Sequence, residues 1–168
     1  MTTTAQIEGS TVIVHVEITN DRTGHHVPTD FPGRHLILLV QARDADGNPL
    51  TQVDGHQVPE WGGVGDPGEG YYAGLPGKAF ARVLEETWTQ ISPSAAYWNP
   101  TRVLSDSRLA AFATDTSTYA FAAPDDGEVT VEVTLLYRRA FMELMDQKAW
   151  DVPDMIMEQQ ELRIPLDR

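Results

Sequence analysis

Three of the five histidines lie close together in a proline-rich segment, at His25, His26 and His35. Neutral imidazole is a common metal ligand, and histidines on an irregular loop can converge on one ion. Asp30 lies between them and adds a carboxylate as a further candidate ligand. The segment is therefore a candidate transition-metal site, but the sequence favours the alternative that these side chains only hydrogen-bond neighbouring backbone groups.

A second set of metal-ligand candidates consists of oxygen donors at Asp44, Asp46 and Asn48, around Gly47. This spacing is typical of the start of a calcium loop, but Gly55 stands where the bidentate glutamate of such a loop would be. An Asp-Gly turn of a β-hairpin, in which Leu50–Val53 is the return strand alongside His35–Arg43, uses the same residue types. The sequence favours the turn and keeps calcium binding as the alternative.

No pattern of nucleophile and base is present, so we assign no catalytic residue. Ser105 has no Gly-x-Ser-x-Gly elbow around it, and no histidine is paired with it by spacing. Arginine–carboxylate pairs commonly fix the conformation of a loop. We therefore expect one structural polar cluster at the loop end of the fold, formed by His25, Pro28, Thr29, Arg34, Asp106 and Arg108.

A long glycine-rich segment from 54 to 77 carries aromatic side chains, and long loops inside a domain tend to be functional or mobile. Such rings can stack on a carbohydrate or contact a protein partner, or they can close the end of a β-sandwich. The candidates for this ligand or partner surface are Trp61, Tyr71, Tyr72, Tyr97 and Trp98.

The charge balance narrows the classes of partner. The 168 residues include 25 acidic and 12 basic ones, for a formal net charge of −13. This field repels phosphate, which argues against nucleic acid, and it attracts cations and basic protein surfaces. There is no cysteine, so covalent haem attachment through Cys-x-x-Cys-His is excluded for this chain, as are disulfides.

The N-terminal residues, Met1 to Gln6, show neither a basic nor an apolar segment, so no signal peptide is predicted in this chain. No apolar run approaches the roughly 20 residues that a membrane-spanning helix needs. The length suits one domain over residues 1–168.

Apolar residues alternate with polar ones in several short segments, as at Val12, Val14, Val16 and Ile18. This period of two indicates strands with one buried face, and glycine and proline mark the turns between them. We predict an all-β fold, an antiparallel β-sandwich of the immunoglobulin-like or Greek-key type, with long loops and one short helix. The predicted strands are Thr11–Thr19, His35–Arg43, Leu50–Val53, Lys78–Glu86, Thr116–Ala122, Glu128–Tyr137 and Met155–Leu166, and the predicted helix is Arg139–Trp150.

Several short motifs follow one another along the chain, from Ile13 to about Ile164. They are Asn20-x-x-x-Gly24-His25-x-x-Pro28-Thr29, Pro32-x-Arg34, Asp44-x-Asp46-Gly47, Pro76-Gly77-Lys78-x-Phe80, Val103-Leu104-Ser105-Asp106-Ser107-Arg108-Leu109, Tyr119-x-Phe121 and Tyr137-Arg138-Arg139. In this order and spacing, the sequence resembles the β-sandwich domain that accompanies multihaem c-type cytochromes.

The resemblance implies an exported domain, periplasmic or extracellular, that packs beside a separate haem-bearing region rich in Cys-x-x-Cys-His. It implies no known reaction. The leading hypothesis is a non-catalytic accessory domain for docking or assembly, with the multihaem cytochrome region as the partner. The alternatives are a small metal-binding protein or metalloenzyme that uses the histidine segment, and a carbohydrate-binding sandwich. The oligomeric state stays open.

Overall fold

The computed structural model describes residues 1–96 and 98–166 and consists mainly of antiparallel strands. The elements are β1 (Thr2–Glu8), β2 (Thr11–Thr19), β3 (His35–Arg43), β4 (Gln52–Asp54), β5 (Gly77–Phe80), β6 (Arg82–Glu86), β7 (Thr101–Asp106), β8 (Thr114–Ala122), β9 (Glu128–Arg138), α1 (Met142–Lys148) and β10 (Met155–Pro165). Short 3₁₀ helices lie at Glu60–Gly62 and Pro67–Glu69.

The strands form two four-stranded sheets and a separate two-stranded ribbon. The order is β1-β2-β8-β4 in the first sheet and β10-β9-β3-β5 in the second, and the ribbon pairs β6 with β7. An arrangement with β2 beside β8 in one sheet, and with β9 between β3 and β10 in the other, is that of immunoglobulin-like sandwiches. The predicted all-β sandwich is therefore confirmed.

The core lies between the two sheets, where the apolar face of each strand points inward because side chains alternate along a strand. Its residues are buried and almost all of them are aliphatic or aromatic, and this burial supplies most of the stability of the fold. They include Val12, Val14, Val16, Ile18, Leu36, Leu38, Val40, Ala42, Tyr119, Phe121, Val129, Val131, Val133 and Leu135.

The prediction that the strand after the Asp-Gly turn would return along β3 was wrong. After the turn, the chain pairs with the end of β3 only through a bridge between Arg43 and Pro49 and a hydrogen bond of 2.8 Å from Leu50 N to Ala42 O. The chain then crosses to the other sheet, where β4 pairs with β8. The residues of the turn determine its local conformation, whereas tertiary packing determines which sheet the next strand joins.

The segment Lys78–Glu86, predicted as one strand, divides at Ala81 into β5 and β6. β5 pairs with β3, while β6 pairs with β7 outside the sandwich. The first residue of β5, Gly77, must be a glycine, because a Cβ there would collide with the carbonyl of Leu38 on the neighbouring strand. Two strands, β1 and β7, lacked a pattern strong enough to predict them.

The helix predicted at Arg139–Trp150 is present as α1, which is shorter and spans Met142–Lys148. Met142 and Met145 are buried on one side of it, and Ala149 in the left-handed conformation ends it. In the part of the chain that the structure describes, no helix has the length and apolar character that crossing a membrane requires.

Candidate functional site

The outer face of the second sheet is covered by the glycine-rich segment between β4 and β5. Ile37, Leu39 and Leu136 point outward from β3 and β9 and are nevertheless buried, because Val58 packs on them. Tyr72 and Leu75 of the same segment pack against this cluster. The long segment is therefore a folded layer over the sheet, and β3 is buried on both faces.

Arg138, at the end of β9, ties this layer down. Its Nη1 donates to Gly62 O at 2.8 Å and its Nη2 to Gly70 O at 2.5 Å, while Nε and Nη2 form a fork on the carboxylate of Asp154 at 2.8 and 2.6 Å. The guanidinium also lies 5.1 Å from the centre of the Tyr72 ring. With 1% of its side chain exposed, Arg138 is a buried cation whose charge is balanced by Asp154.

His35 lies opposite Arg138 on β3 and is fully buried. Its ring stacks on Phe141 with centroids 5.1 Å apart and meets Trp61 edge-on at 5.3 Å. Nδ1 donates to Gly33 O at 3.0 Å, while Nε2 is buried with no partner among the described residues. Burial lowers the pKa of His35 to about 4, so the ring is neutral at physiological pH.

A groove of about 680 Å³ lies beside this anchor, on the outer face of the second sheet. Its floor comes from β3, β9 and β10, and its two walls come from residues 68–72 of the glycine-rich segment and from the chain between α1 and β10. Tyr71 and Tyr72 line the first wall, and Trp150 lines the second. This arrangement can hold an elongated ligand between aromatic side chains.

The tyrosines of the groove are fixed by different contacts. The hydroxyl of Tyr71 donates to the Asp146 carboxylate at 3.0 Å, and that hydrogen bond holds the pKa of Tyr71 above its usual value. Burial raises the pKa of Tyr72. Both phenols are therefore neutral hydrogen-bonding groups, and the ionic character of the groove is set by its carboxylates.

The structure does not bring the three predicted histidine ligands together. His25 and His26 are exposed, and Nδ1 of His25 donates to His26 O at 2.9 Å, whereas His35 is buried under Trp61. Within residues 1–96 and 98–166, no three histidine, aspartate or glutamate side chains are placed to hold a metal ion. Neighbouring positions in a sequence do not share a direction when one begins a strand and the others lie in a loop.

The candidate calcium residues form a turn instead of an open ligand set. The carboxylate of Asp44 accepts hydrogen bonds from Asp46 N at 3.0 Å, from Asn48 N at 2.8 Å and from Asn48 Nδ2 at 3.0 Å. These bonds hold the pKa of Asp44 below its usual value. Its oxygens stabilise the turn that the sequence favoured.

The expected polar cluster is divided into two ion pairs. Arg34 bonds Asp30 at 2.8 Å, and Arg108 bonds Asp106 through a fork at 2.6 and 2.8 Å. Thr29 is exposed and Pro28 is buried. Each arginine therefore pairs with an aspartate that is close to it in sequence, and the two pairs do not join into one cluster.

The loop end is held together by Asn20, which sequence reasoning noted only as part of a motif. Its buried amide donates to His25 O at 2.8 Å, Ala110 O at 3.1 Å and Leu109 O at 3.3 Å. Thr23 Oγ1 donates to the amide oxygen at 2.7 Å. Asn20 therefore joins the 20–33 segment to the chain before β8.

The predicted aromatic surface does not form one platform. Tyr71 and Tyr72 line the groove, while Trp61 contacts the buried ring of His35. Trp98 is 71% exposed and belongs to the chain between β6 and β7. Tyr97 lies outside the described residues.

The ribbon of β6 and β7 is a surface that the sequence did not reveal. Residues 102–106 of β7 are all exposed, and among the strands that the structure describes β7 pairs only with β6. Large apolar side chains are exposed in the ribbon and its connection, at Trp88 (78%), Ile91 (56%), Val103 (48%) and Leu104 (47%). These side chains make the ribbon and its connection an exposed apolar part of the surface.

Comparison with known proteins gives a structural relative. No family model and no curated protein matches the sequence. The structure is similar to a penta-heme cytochrome c552 from Thermochromatium tepidum, with a TM-score of 0.68 over 96% of this chain and 20% sequence identity. This chain has the fold of part of a multihaem cytochrome. It spans 38% of that cytochrome chain, so the likeness concerns one portion of a larger molecule.

Proposed function

We propose that this chain is an accessory domain that docks onto a haem-bearing cytochrome region and helps to assemble it. The observation that carries the proposal is the unequal coverage of the structural match, 96% of this chain against 38% of the cytochrome chain. The same fold therefore occurs beside other structure in one molecule. A chain that has this sandwich and lacks cysteine is suited to support a haem region and not to hold covalent haem itself.

The β6–β7 ribbon is the docking surface in this proposal. An isolated pair of strands is marginally stable in water, and one with exposed apolar side chains gains stability when a partner covers it. Val103 and Leu104 are consecutive and exposed in β7, at the point where its pairing with β6 is irregular. A partner can therefore enclose β7 or pair with its free edge.

The connection between β6 and β7 is ordered by backbone hydrogen bonds and by the buried carboxylate of Glu86. Glu86 accepts hydrogen bonds from Thr89 Oγ1 at 2.9 Å and Ser94 Oγ at 3.1 Å. Trp88 and Ile91 project from this segment, so their positions are set before a partner arrives. A surface fixed in advance loses less conformational entropy on binding.

The compartment follows from the proposed partner. Cytochromes of the c type are typically periplasmic or extracellular. We therefore place the assembly in an exported compartment, where the net charge of −13 keeps the unbound domain from self-association.

Co-purification tests the proposal. The tagged chain is mixed with the exported protein fraction of its source organism, and retained proteins are stained for covalent haem and identified by mass spectrometry. We expect a multihaem c-type cytochrome to be retained by the wild-type chain. Leu104→Ser removes an apolar contact from the docking surface, so retention falls roughly tenfold, as for a residue central to an interface.

Val53→Ser is the matched control, because Val53 is a similarly exposed apolar residue (57%) that lies on β4 of the first sheet and not on the ribbon. This variant retains the cytochrome as the wild type does. The proposal fails if no haem protein is retained, or if both variants lose it equally.

A further inference from the structure

The groove beside Arg138 carries more negative charge than is needed to balance Arg138, the residue that anchors the loop. Arg138 is its only cationic side chain among the described residues, and the fork to Asp154 balances it. The other lining carboxylates have no cation among the groove residues to balance them. The carboxylates that line the groove are Glu69, Glu132, Asp146, Asp151 and Asp154, which leave a formal charge of −4.

The acidic surface continues past Tyr71 into a second, smaller concavity of about 400 Å³. The two concavities share Tyr71 and Asp146. The smaller one adds Glu60 and Glu143, and no lysine or arginine of the described chain lines it. Together they form one acidic surface, divided by the Tyr71 side chain.

The spread of these carboxylates decides what kind of cation fits. They belong to a loop, to β9, to α1 and to the chain after α1, and within the described residues no three of them converge on a metal position. A single metal ion would therefore meet too few ligands. Several cations spaced along one ligand would each meet a carboxylate.

The apolar walls favour cations that carry a hydrocarbon stem. Tyr71, Tyr72 and Trp150 offer ring faces, and Ile156 on the edge strand β10 adds an apolar side chain that is 62% exposed. Lysine and arginine side chains place their methylene groups on such surfaces and their charges near carboxylates or over rings.

We propose that the groove binds an extended segment of a partner protein that carries several lysine or arginine side chains. The segment lies along β10, between Tyr71 and Trp150, with its cations beside Glu69 and Asp151. Ser92 and Pro93 of the β6–β7 connection line the smaller concavity, but no described residue of the ribbon or its connection lines the groove itself. Binding in the groove can therefore be tested separately from docking at the ribbon.

A titration followed by NMR tests the binding and locates it. The folded chain, labelled with ¹⁵N, receives a peptide of alternating arginine and serine, the same peptide with glutamate in place of arginine, or a neutral oligosaccharide. We expect only the arginine peptide to shift the signals of residues 68–72 and 146–156, and added salt to weaken binding because the attraction is between charges.

Two double variants separate a site from general attraction by an acidic protein. Glu69→Gln with Asp151→Asn removes two groove carboxylates, and Asp21→Asn with Asp46→Asn removes two exposed carboxylates elsewhere, so both variants have the same net charge. We expect roughly tenfold weaker binding in the groove variant and unchanged binding in the control. Well-dispersed amide spectra show that both variants are folded.

Three results would overturn the proposal. One is an absence of shifts in the groove, and another is equal weakening in the two double variants. The third is a shift of the same signals by the neutral oligosaccharide, which would assign the aromatic walls to a sugar.

Discussion

His35 and Arg138 lie directly opposite each other on β3 and β9, and both side chains are buried although they point away from the sandwich core. The glycine-rich segment makes this possible, because it brings Gly62 O and Gly70 O to the guanidinium. A cation and a neutral imidazole are thus enclosed together. The stability of the layer over the second sheet depends on both of them.

The first prediction concerns pH. The pKa of His35 falls from its ordinary value of 6.5 to about 4, chiefly because burial disfavours the charged ring. The unfolded chain therefore binds this proton more readily, and stability that is present above pH 6.5 is lost as the pH falls toward 4. Each tenfold difference in proton affinity between the folded and unfolded chain corresponds to about 1.4 kcal/mol, so the full loss is about 3 kcal/mol. Urea unfolding across this pH range measures it.

His35→Phe isolates this contribution, because phenylalanine keeps a ring against Phe141 and Trp61 and does not titrate. We expect its unfolding free energy to fall less steeply than that of the wild type between pH 6.5 and about 4. His56→Gln, at an exposed position, keeps the wild-type slope. Equal slopes in His35→Phe and the wild type would show that His35 is not the group responsible.

The second prediction concerns the anchor. Arg138→Ala leaves the largely buried Asp154 without its cation and removes the hydrogen bonds to Gly62 O and Gly70 O, which costs about 3–5 kcal/mol. Arg138→Lys is also destabilising, since an ammonium group cannot form the fork on Asp154 while reaching both carbonyls. Chemical denaturation measures both. Arg163→Ala breaks an exposed pair with Glu161 and costs at most about 1 kcal/mol, so a similar loss in all three variants would contradict the role of Arg138.

The sequence predicts the sandwich because the inner faces of the strands repeat with period two, as in Val12 to Ile18 and Val129 to Leu135. It does not predict β7, because a strand exposed on both faces has no alternation to recognise. The sequence also does not predict the division of Lys78–Glu86 at Ala81. Both halves of this segment favour a strand, and only their pairing with different strands separates them.

The groove was harder to predict from the sequence than the sandwich. The groove depends on the path of a long loop across the outer face, and hydrophobic periodicity does not encode such a path. Tyr71 and Tyr72 were predicted as surface residues from their position in a glycine-rich segment, but Arg138 and Asp154 are 16 residues apart and meet only after folding. The histidines show the opposite case, because they are close in sequence, yet His25 and His26 are exposed and His35 is buried.

The third prediction concerns Asn20, whose amide group joins the loop end of the sandwich. Asn20→Ala removes the hydrogen bonds that a buried amide donates to His25 O, Leu109 O and Ala110 O, and this loss costs roughly 1–3 kcal/mol. Thermal unfolding measures the loss. Asn20→Asp is at least as destabilising, because it directs a carboxylate at carbonyl oxygens.

Asn48→Ala is the comparison for Asn20, because it removes an asparagine amide from an exposed turn. We expect a much smaller loss there. If Asn48→Ala and Asn20→Ala were equally destabilising, burial of the amide would not be the cause.

The fourth prediction concerns Glu86, which orders the connection that presents Trp88 and Ile91. Hydrogen bonds from Thr89, Ser94 and Asn99 hold the pKa of Glu86 below its ordinary value of 4.5, so its contribution is present above that pH and is lost as the pH falls through the lowered pKa. Glu86→Gln replaces an acceptor oxygen with a donor amide at neutral pH. We expect proteolysis between residues 87 and 100 to become several-fold faster, as mapped by mass spectrometry of the fragments.

Glu85→Gln is the matched control, because it removes the adjacent carboxylate, which bonds Arg102 at 2.7 Å on the side of the ribbon. Cleavage of the connection stays at the wild-type rate in this variant. The same comparison reports on docking, since a loosened connection no longer fixes Trp88 before binding, and Glu86→Gln then retains less cytochrome than Glu85→Gln. A Glu86→Gln chain that resists protease as the wild type does would mean that the connection is ordered by other contacts.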